Sequence, residues 1–151
     1  MKLYIETSVI NFVFATDDIV RANLTKDFFE SATLNHELII SELVLEEIEK
    51  AKSPKKEKMT DFIFKHKFRI LKQTEAVEKL ASKYVEEKII PEKYLNDALH
   101  IALAVINNLD VIVSWNLEHI VKLKTITCVN KINKGEGLPS IYINTPEEVL
   151  E

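Results

Sequence analysis

Cysteine, glycine and long hydrophobic runs are all scarce in this chain of 151 residues. A single cysteine, Cys128, excludes an intrachain disulfide framework and fits a reducing compartment. The apolar stretch IALAVI at residues 101–106 is far shorter than the roughly 20 residues a membrane-spanning helix needs. Glu6 interrupts the apolar N-terminus at once, so no secretory leader is expected. These absences lead to the expectation of a cytoplasmic protein with no membrane partner. The sequence also has no HExxH, no cysteine cluster and no Walker A lysine loop, which excludes the commonest zinc and nucleotide-phosphate sites. Only two glycines, with Lys and Glu dominating the charges, suggest a thermophile. Ten asparagines argue against one, and an AT-rich genome gives the same pattern, so composition leaves the source open.

What remains is an ordinary globular composition, 46% hydrophobic and 29% charged. At this length a folded chain buries about 68–70% of its extended surface, enough for one real core. A single domain over residues 1–151 is expected. The net charge of −4 conceals an uneven distribution. Residues 50–72 carry nine Lys/Arg against two acids, a net +7, which leaves −11 for the rest. A basic surface beside an acidic remainder suits an enzyme that holds a polyanion near a metal. The plainer reading is a solvated, lysine-rich helix face.

The order of elements is that of an α/β protein. Residues 3–6 (LYIE), 37–40 (ELII), 69–71 and 110–114 (DVIVS) read as strands, the last as a buried parallel strand. Residues 8–15, 18–34, 41–52, 56–68, 75–88 and 92–107 read as helices, with Ser41 as an N-cap and Pro91 opening the last of them. Residues 125–129 and 141–143 read as two further extended pieces, followed by Pro146 and a final helical turn. Strands separated by helices predict βαβ units and a mainly parallel sheet. In such sheets ligands sit beyond the carboxyl ends of the strands, where strand order reverses.

Four groups capable of ligating a metal could converge there. Glu6 ends the first strand, and Asn116 follows the strand 110–114. Asp97 lies early in the apolar central helix, and Glu47 in the helix that begins after Ser41. Carboxylates brought together repel unless a cation joins them, and hard Mg²⁺ or Mn²⁺ prefers oxygen ligands. Such an ion activates water and offsets charge on a phosphate. Each residue also has a plainer role. Glu6 and Glu47 can be solvated acids, and Asn116 can cap a helix beginning NLEHI. Thr7 and Ser8 can be turn or cap residues. His100, three residues after Asp97, reads as a core or supporting histidine rather than a ligand. His119 reads as a surface histidine. Trp115 is either a base-stacking ring or an anchor for the strand end, and Tyr84 and Tyr94 suit core or interface equally.

Four strings resemble motifs of the PIN domain family, in that family's order. YIETSVINF resembles its opening, where the first strand usually ends in Asp-Thr/Ser-Ser. ISELVLEEIE resembles its second motif, a serine followed six residues later by an acid, which selects Glu47 over Glu46. LNDALHIALA matches the third and selects Asp97, and VIVSWNLEHI resembles the fourth, which selects Asn116. The resemblance implies a three-layer α/β/α domain with a central, mainly parallel sheet. It also implies an Mg²⁺- or Mn²⁺-dependent endoribonuclease whose metal is held by Glu6, Glu47 and Asp97, with Asn116 as a weaker or water-mediated ligand. Water attack in line on the phosphodiester would leave a 5′-phosphate and a 3′-hydroxyl. Many single-domain members are VapC-type toxins, often dimeric and inhibited by a small antitoxin. The implied partners are therefore RNA, a cognate antitoxin and a second copy of the chain.

Two departures stand out. Glu6 replaces the usual Asp, and Asn116 replaces the commoner Asp. A catalytically weak PIN-like module that binds RNA or a protein is therefore the alternative. A small phosphatase is a third reading, disfavoured because Glu6-Thr7-Ser8 stands where a DxD pair would be needed.

Overall fold

In the computed structural model, which describes residues 1–150, alternating strands and helices build one parallel sheet. The strands are β1 (Lys2–Ile5), β2 (Glu37–Ser41), β3 (Arg69–Leu71), β4 (Val111–Val113) and β5 (Tyr142–Asn144), ordered β3-β2-β1-β4-β5. Each neighbouring pair is parallel, with Leu3 opposite both Leu38 and Val111. The helices are α1 (Thr7–Val13), α2 (Ile19–Asn35), α3 (Glu42–Glu49), α4 (Lys55–His66), α5 (Glu75–Glu86), α6 (Leu95–Ile106), α7 (Leu123–Gly135) and α8 (Pro146–Leu150). No helix among the described residues is long and apolar enough to cross a membrane.

The chain runs outward from β1 to β2 and β3, then returns to lay down β4 on the other side of β1. With right-handed crossovers, the outward and return connections place their helices on opposite faces of the sheet. That produces the three layers, with α1 to α4 packed among themselves and α5 against α6. The same reversal opens a crevice beyond the C-terminal ends of β1 and β4.

The core follows from strand chemistry. Leu3, Tyr4, Ile5, Ile39, Ile40, Ile112 and Val113 have no exposed surface, as expected for strands covered on both faces. Helix α6 is buried continuously from Ala98 to Val105. Its first turn emerges from this core, with Leu95 exposed and Asp97 partly covered.

Three sequence expectations change. Residues 125–129 are not extended but lie within α7. Their β-branched side chains favour a strand locally. However, Thr125, Val129 and Asn133 repeat every four residues and are buried together on one helix face, and tertiary burial overrides propensity. Asn130 on this helix then supplies strand-like bonds to the start of β5: its Nδ2 donates to the Ile141 carbonyl at 3.1 Å, and its Oδ1 accepts from the Ile141 amide at 2.8 Å. No helix begins at Asn116. Its carbonyl accepts from the Ile120 and Val121 amides to close a turn instead. The helix expected over 92–107 starts as a 3-10 turn at Glu92–Tyr94 and becomes α-helical only at Leu95.

Leu3 lies in the central strand with no exposed surface. Leu3→Ala should therefore lower unfolding free energy by about 2–5 kcal/mol, read as a reduced urea midpoint with an unchanged slope.

Candidate metal centre

Glu6 is the first residue past β1, and its amide still donates to the Val113 carbonyl at 3.1 Å, so the sheet itself sets its position. It also caps α1. Its Oε2 accepts from the Ser8 amide at 3.0 Å, and its Oε1 accepts from the Ser8 hydroxyl at 2.6 Å and from the Ser114 hydroxyl. Three fixed donors allow a carboxylate that is only 6% exposed to remain satisfied.

Glu47 reaches the same crevice from α3. Its Oε1 accepts from the Thr7 hydroxyl at 2.6 Å and lies 2.6 Å from His100 Nε2. Burial pushes its pKa up, but bonding and charge from His100, with bonds from Thr7 and Asn96, outweigh this and hold it below the ordinary glutamate value. His100 is fully buried on α6, and its Nδ1 lies 2.7 Å from the Tyr4 hydroxyl, itself 2.8 Å from the Ser41 hydroxyl. Burial opposes a charged imidazole. The Glu47 bond and the charges of Glu6, Glu47 and Asp97 prevail and raise its pKa. An imidazolium donates to Glu47 and to the Tyr4 oxygen, leaving the Tyr4 hydroxyl to donate to Ser41.

Asp97 sits in the first turn of α6, half-buried. Burial and the nearby Glu6 charge raise its pKa, against the pull of His100, an Asn116 hydrogen bond and His119. Its Oδ2 lies 3.1 Å from His119 Nδ1. Asn116 caps a turn and not the helix anticipated there. Its Oδ1 accepts from the His119 amide at 3.0 Å, and its side chain is among the groups that pull the Asp97 pKa down.

The crevice therefore gathers all four residues singled out in the sequence. Ligand atoms of Glu6, Glu47 and His100 lie within 4.8 Å of one another, and Asp97 interacts with Glu6 and His100 through its charge. His100 has both ring nitrogens engaged, so it braces the carboxylates rather than offering a free lone pair. Three carboxyl groups gathered beside one buried imidazole offer oxygen donors, which is the donor chemistry of a hard divalent cation. The residues present fit Mg²⁺ or Mn²⁺.

Sequence reading missed part of this arrangement. Ser114, Asn96 and Tyr4 carried no signal, because a serine at a strand end or a tyrosine in a core strand is unremarkable until its partner is known. His119, expected on the surface, is partly covered and lies 3.1 Å from Asp97. Trp115, one candidate for stacking on a base, is buried instead, with Nε1 donating to Thr25 at 2.8 Å. It is an anchor for the end of β4. The basic segment 50–72 lies on α4, β3 and their flanks, where Lys56 pairs with Glu49 and Arg69 with Glu37.

A family model for the PIN domain matches residues 3–119. No curated protein sequence matches the chain. Among solved structures, DNA-bound VapBC from Salmonella typhimurium aligns over 97% of this chain and 98% of that chain, with TM-score 0.60 and 18% identity. VapBC2 from Rickettsia felis, bound to a promoter DNA fragment, aligns over 96% and 98%, with TM-score 0.58 and 17% identity. The sarcin-ricin-loop-cleaving toxin VapC20 from Mycobacterium tuberculosis aligns over 73% and 86%, with TM-score 0.58 and 16% identity. At these identities the likeness is one of fold.

Removing the Glu6 charge should bring the Asp97 pKa down, since that charge helps to raise it. Carbon-13 NMR titration of the Asp97 carboxyl in metal-free wild type and Glu6→Gln reads this directly, and an unmoved titration would separate the two groups. The sign for stability follows. A carboxyl whose folded pKa lies above its unfolded value costs stability as pH rises through that window. The metal-free protein should therefore lose stability from Asp97 on going from acid toward neutrality, and Glu6→Gln should reduce that loss.

Proposed function

The chain belongs to the PIN domain family, and on that footing we propose that it is an Mg²⁺- or Mn²⁺-dependent endoribonuclease, the toxin of a VapC-type toxin–antitoxin pair. The observation that carries this reading is the meeting of Glu6 and Glu47, from separate elements, with ligand atoms within 4.8 Å of one another at the crevice between β1 and β4, and Asp97 close enough for the Glu6 charge to raise its pKa. Its fold neighbours support it: two are VapBC complexes, and a third is a toxin that cleaves the sarcin-ricin loop.

In this reading Glu6, Glu47 and Asp97 hold the metal, with Asn116 as a weaker or water-mediated ligand. The ion supplies a Lewis acid that makes water nucleophilic at neutral pH and offsets charge on the phosphate. The protein's own contribution is preorganisation. Ser8 and Ser114 fix Glu6, while Thr7 and the His100 imidazolium fix Glu47. His119 stands beside Asp97, its Nδ1 3.1 Å from the carboxylate. Hydrolysis would break the bond from phosphorus to the 3′ oxygen, leaving a 5′-phosphate and a 3′-hydroxyl. RNA is the proposed substrate, and a small antitoxin and a second copy of the chain are the proposed protein partners.

One feature favours a second reading, a PIN-like module with little or no catalysis. The Glu6 carboxylate is already committed to three donors, and the Asn116 oxygen to the His119 amide. A metal would have to share or displace these bonds.

Calorimetric titration with Mn²⁺, paired with an RNA cleavage assay, decides between the two. Wild type should bind Mn²⁺ saturably and cut RNA, and Asp97→Asn should lose both. Absence of Mn²⁺ binding in both proteins would favour the non-catalytic module.

The basic segment 50–72 is proposed to bind RNA phosphates. Lys55→Glu with Lys56→Glu should then reduce the slope of log K against log salt by roughly 0.7 for each phosphate no longer neutralised. An unchanged slope would remove the segment from the interface.

A further inference from the structure

With Trp115 buried, Phe64, Tyr94 and Tyr142 are the large aromatic side chains exposed among the described residues. Phe64 lies on α4 and Tyr142 on the edge strand β5, each remote in the fold from the crevice. Tyr94 belongs to the acidic site. It ends the 3-10 turn three residues before Asp97, and its ring packs on His119 with centroids 4.0 Å apart and planes 33° apart. The same imidazole places its Nδ1 3.1 Å from Asp97 Oδ2. A continuous path therefore runs from a partly exposed aromatic ring, through a partly covered imidazole, to a carboxylate of the proposed metal centre.

That arrangement has a chemical use. Packing on His119 restrains the ring, while 37% of the residue stays exposed to a ligand. Unpaired bases stack on such surfaces with little sequence preference, because every base has a π face. A base inside an A-form duplex is already stacked on its neighbours and is closed to this interaction. The Lys93 ammonium lies 5.7 Å from the Tyr94 ring centroid on a long, flexible stem, within reach of a phosphate flanking a stacked base. Leu95 and Leu117, next in sequence to Tyr94 and Asn116, are also exposed.

Resting on the nuclease reading, we infer that Tyr94, braced by His119, is a positioning residue that stacks an unpaired base next to the phosphate held at the acidic crevice. The contribution of Tyr94 comes from stacking, not from base-edge hydrogen bonds.

The test uses fluorescence anisotropy of a short, labelled, single-stranded oligoribonucleotide of mixed sequence and of the same strand in a duplex, in metal-free buffer so that nothing is cut. Tyr94→Ala and Tyr94→Leu should weaken single-strand binding roughly tenfold or more. Tyr94→Phe and Tyr94→Trp should bind like wild type, and the weaker duplex binding should not change across the series. In Tyr94→Trp, quenching of the introduced indole by the single strand, but not by the duplex, would report stacking directly. Calorimetric Mn²⁺ binding should survive in Tyr94→Ala, showing that the metal centre is intact. If Tyr94→Leu binds the single strand as well as wild type, bulk and not stacking is at work and the inference is overturned. It is likewise overturned if duplex and single strand weaken together. Wild type that binds neither RNA overturns the nuclease reading itself, a distinct outcome from wild type that binds the single strand and is indifferent to Tyr94.

Discussion

Mutual repulsion among three carboxylates in one crevice is the constraint the rest of this structure has to meet. At the separation of Glu6 and Glu47, under 4.8 Å, two unit charges at an effective dielectric of about 20 repel by at least about 3 kcal/mol. That is a large share of the roughly 5–15 kcal/mol by which domains are stable. The His100 imidazolium meets much of this demand from within the protein. Beside Glu47 and within the charges of Glu6 and Asp97, it has a raised pKa although burial opposes the charged imidazole. The opposing shifts of Glu47, held down, and Asp97, pushed up, show how far its help extends. Glu47 bonds the imidazole directly, whereas Asp97 receives only its longer-range charge and keeps a residual penalty that a divalent cation would relieve.

The supports of the site are also supports of the fold. Glu6 is at once a member of the cluster, the cap of α1 and a continuation of the β1–β4 ladder. Ser41 closes β2, caps α3 and ends the Tyr4–His100–Glu47 chain of hydrogen bonds. Such double use leaves little slack. Carboxylate positions are inherited from strand register and helix packing rather than from loop conformation, which is how a site is kept preorganised. It also means that Glu6 and Asn116, the two departures from the family's usual aspartates, are held by their own hydrogen bonds and have not drifted into solvent.

Where local and tertiary preferences disagreed, burial decided. Residues 125–129 have a strand's composition and a helix's spacing, and the spacing prevailed because Thr125, Val129 and Asn133 share a buried face. Trp115 was legible as either a stacking ring or an anchor, and the Thr25 hydroxyl resolved it, since a buried indole N–H needs an acceptor. His119 looked like a surface residue until the turn after β4 folded it over Asp97.

Alternating strands and helices, a parallel sheet, and Glu6, Glu47, Asp97 and Asn116 as the polar groups to watch were all legible before any coordinates. Apolar periodicity, caps and motif order are local properties of the chain, so they can be read one segment at a time. What those groups do to one another was not legible in that way. The charge state of His100, the opposite shifts of Glu47 and Asp97, the serine and threonine hydroxyls that hold them, and the placing of Tyr94 beside the site all depend on distances between elements far apart in the chain. Electrostatic and hydrogen-bond energies fall steeply over a few ångströms, and those ångströms are set only when the sheet is assembled.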